Sequence, residues 1–105
     1  MLQDQQFPID QAIYTQLLAC LPEGWSRVKL LANLQPANNG TQGMSIRIDG
    51  LGQPGIALVS DQLEGQVREL FLLNQRYRTG LRGISYSYTR QPTGHWAFAA
   101  DYQYT

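Results

Sequence analysis

Cysteine, histidine and net charge are all scarce in this sequence, and each scarcity narrows what the chain can do. The one cysteine, Cys20, excludes a disulfide within the chain. It sits in the apolar helical pattern LLACL with no basic neighbour in sequence, so it is expected as a core thiol rather than a reactive one. The one histidine, His95, stands beside a turn. A metal centre draws three or four ligands from His, Cys, Asp and Glu, and one His far from one Cys argues against zinc. No G-x-S-x-G elbow accompanies His95, which leaves a Ser-His-Asp arrangement unsupported.

Eight basic residues balance eight acidic ones, and only 15% of the chain is charged. Nucleic-acid binding draws on clustered Lys and Arg, so no nucleic-acid partner is expected. No run approaches the roughly 20 apolar residues of a membrane span, so no membrane association is expected either. The start, MLQDQQFPID, lacks the basic region and apolar run of a signal peptide, and a cytoplasmic location follows as the expectation. NNGTQG and DGLGQPG lack the Lys-Ser/Thr of a phosphate loop and read as turns. No cofactor is implied.

What is present is a globular composition, 43% hydrophobic over 105 residues, which is one domain's worth of chain spanning 1–105. Ile9, Ile13, Leu17 and Leu21 recur at helical spacing, with Cys20 on the same side. Pro8 suits the first turn of that helix, Asp10 complements its dipole, and Pro22 ends it. Val28, Leu30, Ala32 and Leu34 alternate with Arg27, Lys29, Leu31 and Asn33, the mark of a half-buried strand. PANNGTQG reads as a hairpin loop, MSIRID as a second strand, and IALV at 56–59 as a short third strand.

The clearest helix follows. Ser60 or Asp61 caps it, Leu63, Val67, Leu70, Phe71 and Tyr77 form its stripe, Asn74 interrupts it, and Gly80 stops it. ISYSYTR and HWAFAADYQYT then form a hairpin around QPTG. The expected fold is α+β, in the order α-β-β-β-α-β-β. Its antiparallel five-stranded sheet has both helices on one face and the other face open.

Asp49 and Asp101, on neighbouring strands, read as surface carboxylates rather than a catalytic pair. Arg27, Lys29, Arg47 and Asp49 fall on the polar face of the first two strands, and Trp25 joins them if the strand runs straight. Trp and Arg are enriched at interface hot spots, which makes these five the candidate partner-binding residues. Tyr86, Tyr88, Tyr102 and Tyr104 have no RNP-like motif or basic surround, so cross-strand packing under the helices is expected for them rather than base stacking.

The combination of LPEGWSRVKLLANL after a first helix, LFLLNQRY in the second, and a terminal GHWAFAADYQYT resembles the YezG-like immunity proteins. Leu21, Pro22 and Trp25 match an (I/L)-P-x-x-W strand start. Gly94, Trp96, Asp101, Tyr102 and Tyr104 match a closing G-x-aromatic…D-Y-x-Y strand. The chain is neutral where such proteins are typically acidic, and it has Leu81, Arg82 and Gly83 where they tend to carry a Trp. The resemblance implies a non-enzymatic antitoxin. Such a protein would bind the toxic C-terminal domain of a contact-dependent growth inhibition or related polymorphic toxin, often a nuclease, and neutralise it by stoichiometric occlusion. Free in the cytoplasm it would be a monomer or weak dimer. The alternative is a small α/β secretion chaperone binding an effector, a class with a helix–three strands–helix–two strands order.

Overall fold

The centre of the sheet forms where the alternation is strongest. In β1 (Arg27–Leu34), Val28, Leu30 and Ala32 are fully buried on one side, and the polar alternates point the other way. In this computed structural model, which describes residues 1–35 and 43–105, β1 is hydrogen-bonded on both edges. The remaining elements are α1 (Leu2–Cys20), β2 (Met44–Asp49), α2 (Asp61–Arg76), β3 (Leu81–Arg90) and β4 (Trp96–Tyr104). The strands are antiparallel in the order β2-β1-β3-β4. The expected loop over PANNGTQG falls outside the described residues except for Gly43, whose carbonyl accepts the Gln35 N–H at 2.9 Å.

The sheet therefore has four strands among the described residues, not five, and the order is α-β-β-α-β-β. The expected third strand, 56–59, has no ladder partner there. Its alternation is real, but it reports one-sided burial. Ala57 faces the core, while Ile56 and Leu58 are 80% and 78% exposed. The reason lies just upstream. The Gln53 side-chain amide takes the place of a strand neighbour at the start of β1, accepting from the N–H of Ser26 and of Arg27 and donating to the Arg27 carbonyl. The Pro54 carbonyl accepts the Trp25 indole N–H at 2.8 Å. Pinned there, the chain climbs from the sheet to α2 instead of running along an edge.

α1 starts at Leu2, so Pro8 lies inside it rather than in its first turn. The bond that Pro8 cannot make would go to the carbonyl of exposed Asp4. Asp4 takes the first-turn acidic position, and Asp10 stands mid-helix instead of serving the dipole. Cys20 is half-buried against the core, not enclosed by it.

Ser60 is the cap of α2, its Oγ accepting the Leu63 N–H at 3.1 Å, with Asp61 and Glu64 in the first turn. The helix stops at Arg76, before Gly80, because Arg78 adopts a left-handed φ of 54° and Asn74 ties the end together. The Asn74 amide donates to the Leu70 carbonyl at 2.9 Å and its Oδ1 accepts from Thr79 Oγ1 at 2.9 Å. Tyr77 falls beyond the helix and is exposed rather than in the stripe.

Both helices pack on one face. Ile13 and Leu17 of α1 join Leu63, Val67, Leu70 and Phe71 of α2 over Val28, Leu30, Ala32, Ile84, Tyr86 and Tyr88. β3 begins at Leu81, three residues before the expected Ile84. A bulge between Leu81 and Gly83 lets both Leu81 and Ile84 face the core.

Candidate functional site: an open polar sheet face and an aromatic cleft

The face opposite the helices is uncovered, and the register decides which residues meet on it. Lys29 lies across from Asp49 on one side and Ser87 on the other. Leu31 lies between Arg47 and Ser85, and Ser85 faces Asp101. Arg27 is opposite Thr89. Four of the five expected residues, Arg27, Lys29, Arg47 and Asp49, thus share one surface. Arg47 Nε approaches Asp49 Oδ2 at 3.3 Å, an exposed pair of small energetic value.

Trp25 is not part of that surface. It is 6% exposed, because a turn closed by the Trp25 N–H on the Pro22 carbonyl breaks the strand before it reaches this residue. The ring packs against the core, and a Cβ added at Gly50 would overlap it. Asp101 stands on the open face across from Ser85, at the opposite edge of the sheet from Asp49, with two strands between them.

The closing strand behaves differently from the expectation that its aromatics sit in the core. Tyr86 and Tyr88 of β3 are buried, as expected, but no residue of β4 is. Trp96 and Tyr102 are half-buried, while Phe98 and Tyr104 remain 49% and 57% exposed. The cause is topological. β4 is an edge strand, and α1 stands above β3, so the helix layer ends short of it. The β4 rings lean on those of β3. Phe98 meets Tyr86 edge-on at 5.0 Å and stacks on Tyr88 at 5.1 Å, and Tyr102 meets Tyr86 edge-on at 5.9 Å.

Between α1 and β4 this leaves a cleft. One cavity of about 360 Å³ is walled by Tyr14, Tyr88, Trp96 and Phe98, with His95 at its mouth and Asp10 on its helix side. A second, of about 320 Å³, lies further along and includes Gln6, Phe7, Tyr102 and Tyr104. Asp10 belongs to both.

A hydrogen-bonded chain runs between them. Tyr86 Oη donates to Asp10 Oδ1 at 2.7 Å. With its one proton so committed, Tyr86 accepts from Tyr102 Oη at 3.3 Å, and Tyr102 accepts from Gln6 Nε2 at 3.1 Å. Gln6 Nε2 also lies 3.4 Å from Asp10 Oδ2. Burial raises the Asp10 carboxyl above its ordinary value, only partly offset by the bonds from Tyr86 and Gln6. Burial likewise pushes the Tyr86 and Tyr88 phenols far up, reinforced by their partners and the Asp10 charge. Asp10 has no cation partner among the described residues.

Sequence reasoning did not find Asp10 as a site residue. The available signal was its place within the stripe Ile9, Asp10, Ile13, Tyr14, Leu17, a carboxylate on the packing side of a helix. His95 is exposed beside the expected QPTG turn, with its carbonyl accepting the Gln91 N–H at 2.6 Å. Among the described residues no group of three or more His, Cys, Asp or Glu is placed to hold a metal, and no helix is long and apolar enough to cross a membrane. Comparison of the sequence with known families and with curated proteins gave no match.

Proposed function

We propose that this chain is a cytoplasmic immunity-type antitoxin. It binds the toxic C-terminal domain of a contact-delivered or related polymorphic toxin and neutralises it by occlusion, without catalysis of its own. The observation that carries the reading is the uncovered sheet face, on which the register gathers Arg27, Lys29, Arg47 and Asp49 around Leu31. Mixed charges around an aliphatic centre give a surface that discriminates between partners electrostatically and anchors them by apolar burial. A standard interface buries about 800 Å² on each partner; four strands at about 4.8 Å spacing and about eight residues long give a face of roughly 500 Å², and an adjoining edge would supply the rest.

The residues that carry the family resemblance have structural roles consistent with this reading. Pro22 follows the last turn of α1, Trp25 anchors the loop after β2, and Tyr102 ties β4 to α1. The chaperone alternative rested on a helix–three strands–helix–two strands order, and among the described residues two strands precede the second helix.

The test is co-expression with the toxin domain encoded beside this gene. Restored growth and a stoichiometric complex on a sizing column are the expected results. Continued toxicity with no complex would remove the reading.

A further inference from the structure

The open sheet face leaves the cleft between α1 and β4 unused, and the cleft's chemistry is of another kind. Its walls are aromatic: Tyr14 lies 5.6 Å from Tyr88, Tyr88 stacks on Phe98, and Trp96 lines the same cavity. Its one carboxylate, Asp10, receives hydrogen bonds only from neutral donors. No Lys or Arg is among the residues that line it. Aromatic faces attract cations through their quadrupoles, and a desolvated carboxylate without a counter-charge adds to that attraction.

We propose that the cleft walled by Tyr14, Tyr88, Trp96 and Phe98, with Asp10 on its helix side, receives an arginine or lysine side chain of a partner protein. The size fits, since about 360 Å³ is within the range of small-ligand sites. Charge complementarity fits as well. Burial raises the Asp10 carboxyl, and an entering guanidinium or ammonium supplies the missing counter-charge and draws it back down. The exposed Phe98 forms one rim of the cavity, and β4 offers a free strand edge beside it. An extended partner segment can therefore pair with β4 while one basic residue reaches into the cleft. The attraction of the cleft for a cation stands apart from the antitoxin reading; only the assignment of that cation to a protein rests on it.

The experiment is an NMR titration of the intact protein with N-acetylarginine amide, following the Trp96 indole N–H. N-acetylcitrulline amide is the neutral isostere, and choline is the non-protein cation. Saturable shifts with the arginine probe, half-complete on the order of millimolar, are expected, with at least tenfold weaker response to citrulline. Asp10→Asn keeps an acceptor for Tyr86 and should weaken arginine binding at least tenfold while the fold stays intact. Trp96→Leu should weaken it several-fold. Equal response to arginine and citrulline, or undiminished binding in Asp10→Asn, would overturn the proposal. Tighter binding of choline than of arginine would overturn the assignment to a protein side chain. A chain that binds the arginine probe yet fails to rescue growth keeps the cation site and loses the antitoxin reading; the reverse pair of results does the opposite.

Discussion

The two sides of the sheet differ in what lies over them, and β4 shows the difference within one strand. Its odd-numbered residues, Ala97, Ala99, Asp101 and Gln103, belong to the open face, small or polar and set against Ser85 and Ser87 of β3. Its even-numbered residues, Trp96, Phe98, Tyr102 and Tyr104, lean toward α1 without being covered by it. The open face is a solvated surface where charges pair weakly. The cleft is half-dry, so each polar group in it is costly unless partnered, and Asp10 is partnered only by neutral donors. Mixed charge alone thus makes a surface that tolerates change. A carboxylate among aromatic rings makes one that responds to a single added charge.

The largest test of this contrast concerns Trp25, which belongs to the core and not to the open face. Trp25→Ala should cost about 3–5 kcal/mol in a denaturant melt, whereas Arg27→Ala, two residues on, should stay within about 0.5 kcal/mol. A small effect at Trp25 would return it to the partner surface.

Next comes the hydrogen bond inside the cleft. Tyr86→Phe removes the donor to the Asp10 carboxylate and should cost about 1.5–3 kcal/mol at neutral pH. In an Asp10→Asn background the loss should shrink to about 1 kcal/mol, because the acceptor is then neutral. An identical loss in both backgrounds would show that the Asp10 charge does not matter there.

A pH series sharpens the same point. The Asp10 carboxyl is raised in the folded state above the ordinary value of 3.8. Its protonated form therefore contributes stability that is present below that value and lost as pH rises through the raised one. Asp10→Asn does not titrate. Its melting temperature should exceed that of the parent at neutral pH, with the advantage vanishing toward acid. An Asn variant less stable than the parent at neutral pH and equal to it in acid would contradict the raised carboxyl.

The smallest stability effect is expected on the open face. Arg47→Glu breaks the exposed pair with Asp49 and should change stability by no more than about 0.5 kcal/mol. It should nonetheless weaken the proposed complex with a toxin domain at least tenfold by calorimetry, and unchanged affinity would move the interface elsewhere.

Much of this architecture was legible because short-range patterns decide it. The alternation of β1 marks a half-buried strand, the stripe from Leu63 to Phe71 marks a packed helix, and QPTG marks the last turn. What escaped depends on long-range placement. IALV alternates like a strand, but the Gln53 and Pro54 contacts to the start of β1 hold the preceding chain away from an edge. Trp25 has the parity of the open face, but the turn after Pro22 rotates it inward. Pro8 read as a first turn, yet Gln5 Nε2 bonding to Tyr77 Oη and Gln6 to Tyr102 hold an earlier turn in place. For the site, the parity of Arg27, Lys29, Arg47 and Asp49 placed them together correctly. The cleft needed the knowledge that β4 is an edge strand that α1 touches but does not cover.

Amide hydrogen exchange on the chain alone, and mixed with the C-terminal domain of the proposed partner toxin, tests the central claim most directly. The account predicts a complex in which the amides of β4 gain protection together with those around Arg27 and Arg47. A mixture with no complex, or protection confined to the outer side of α2, would contradict it.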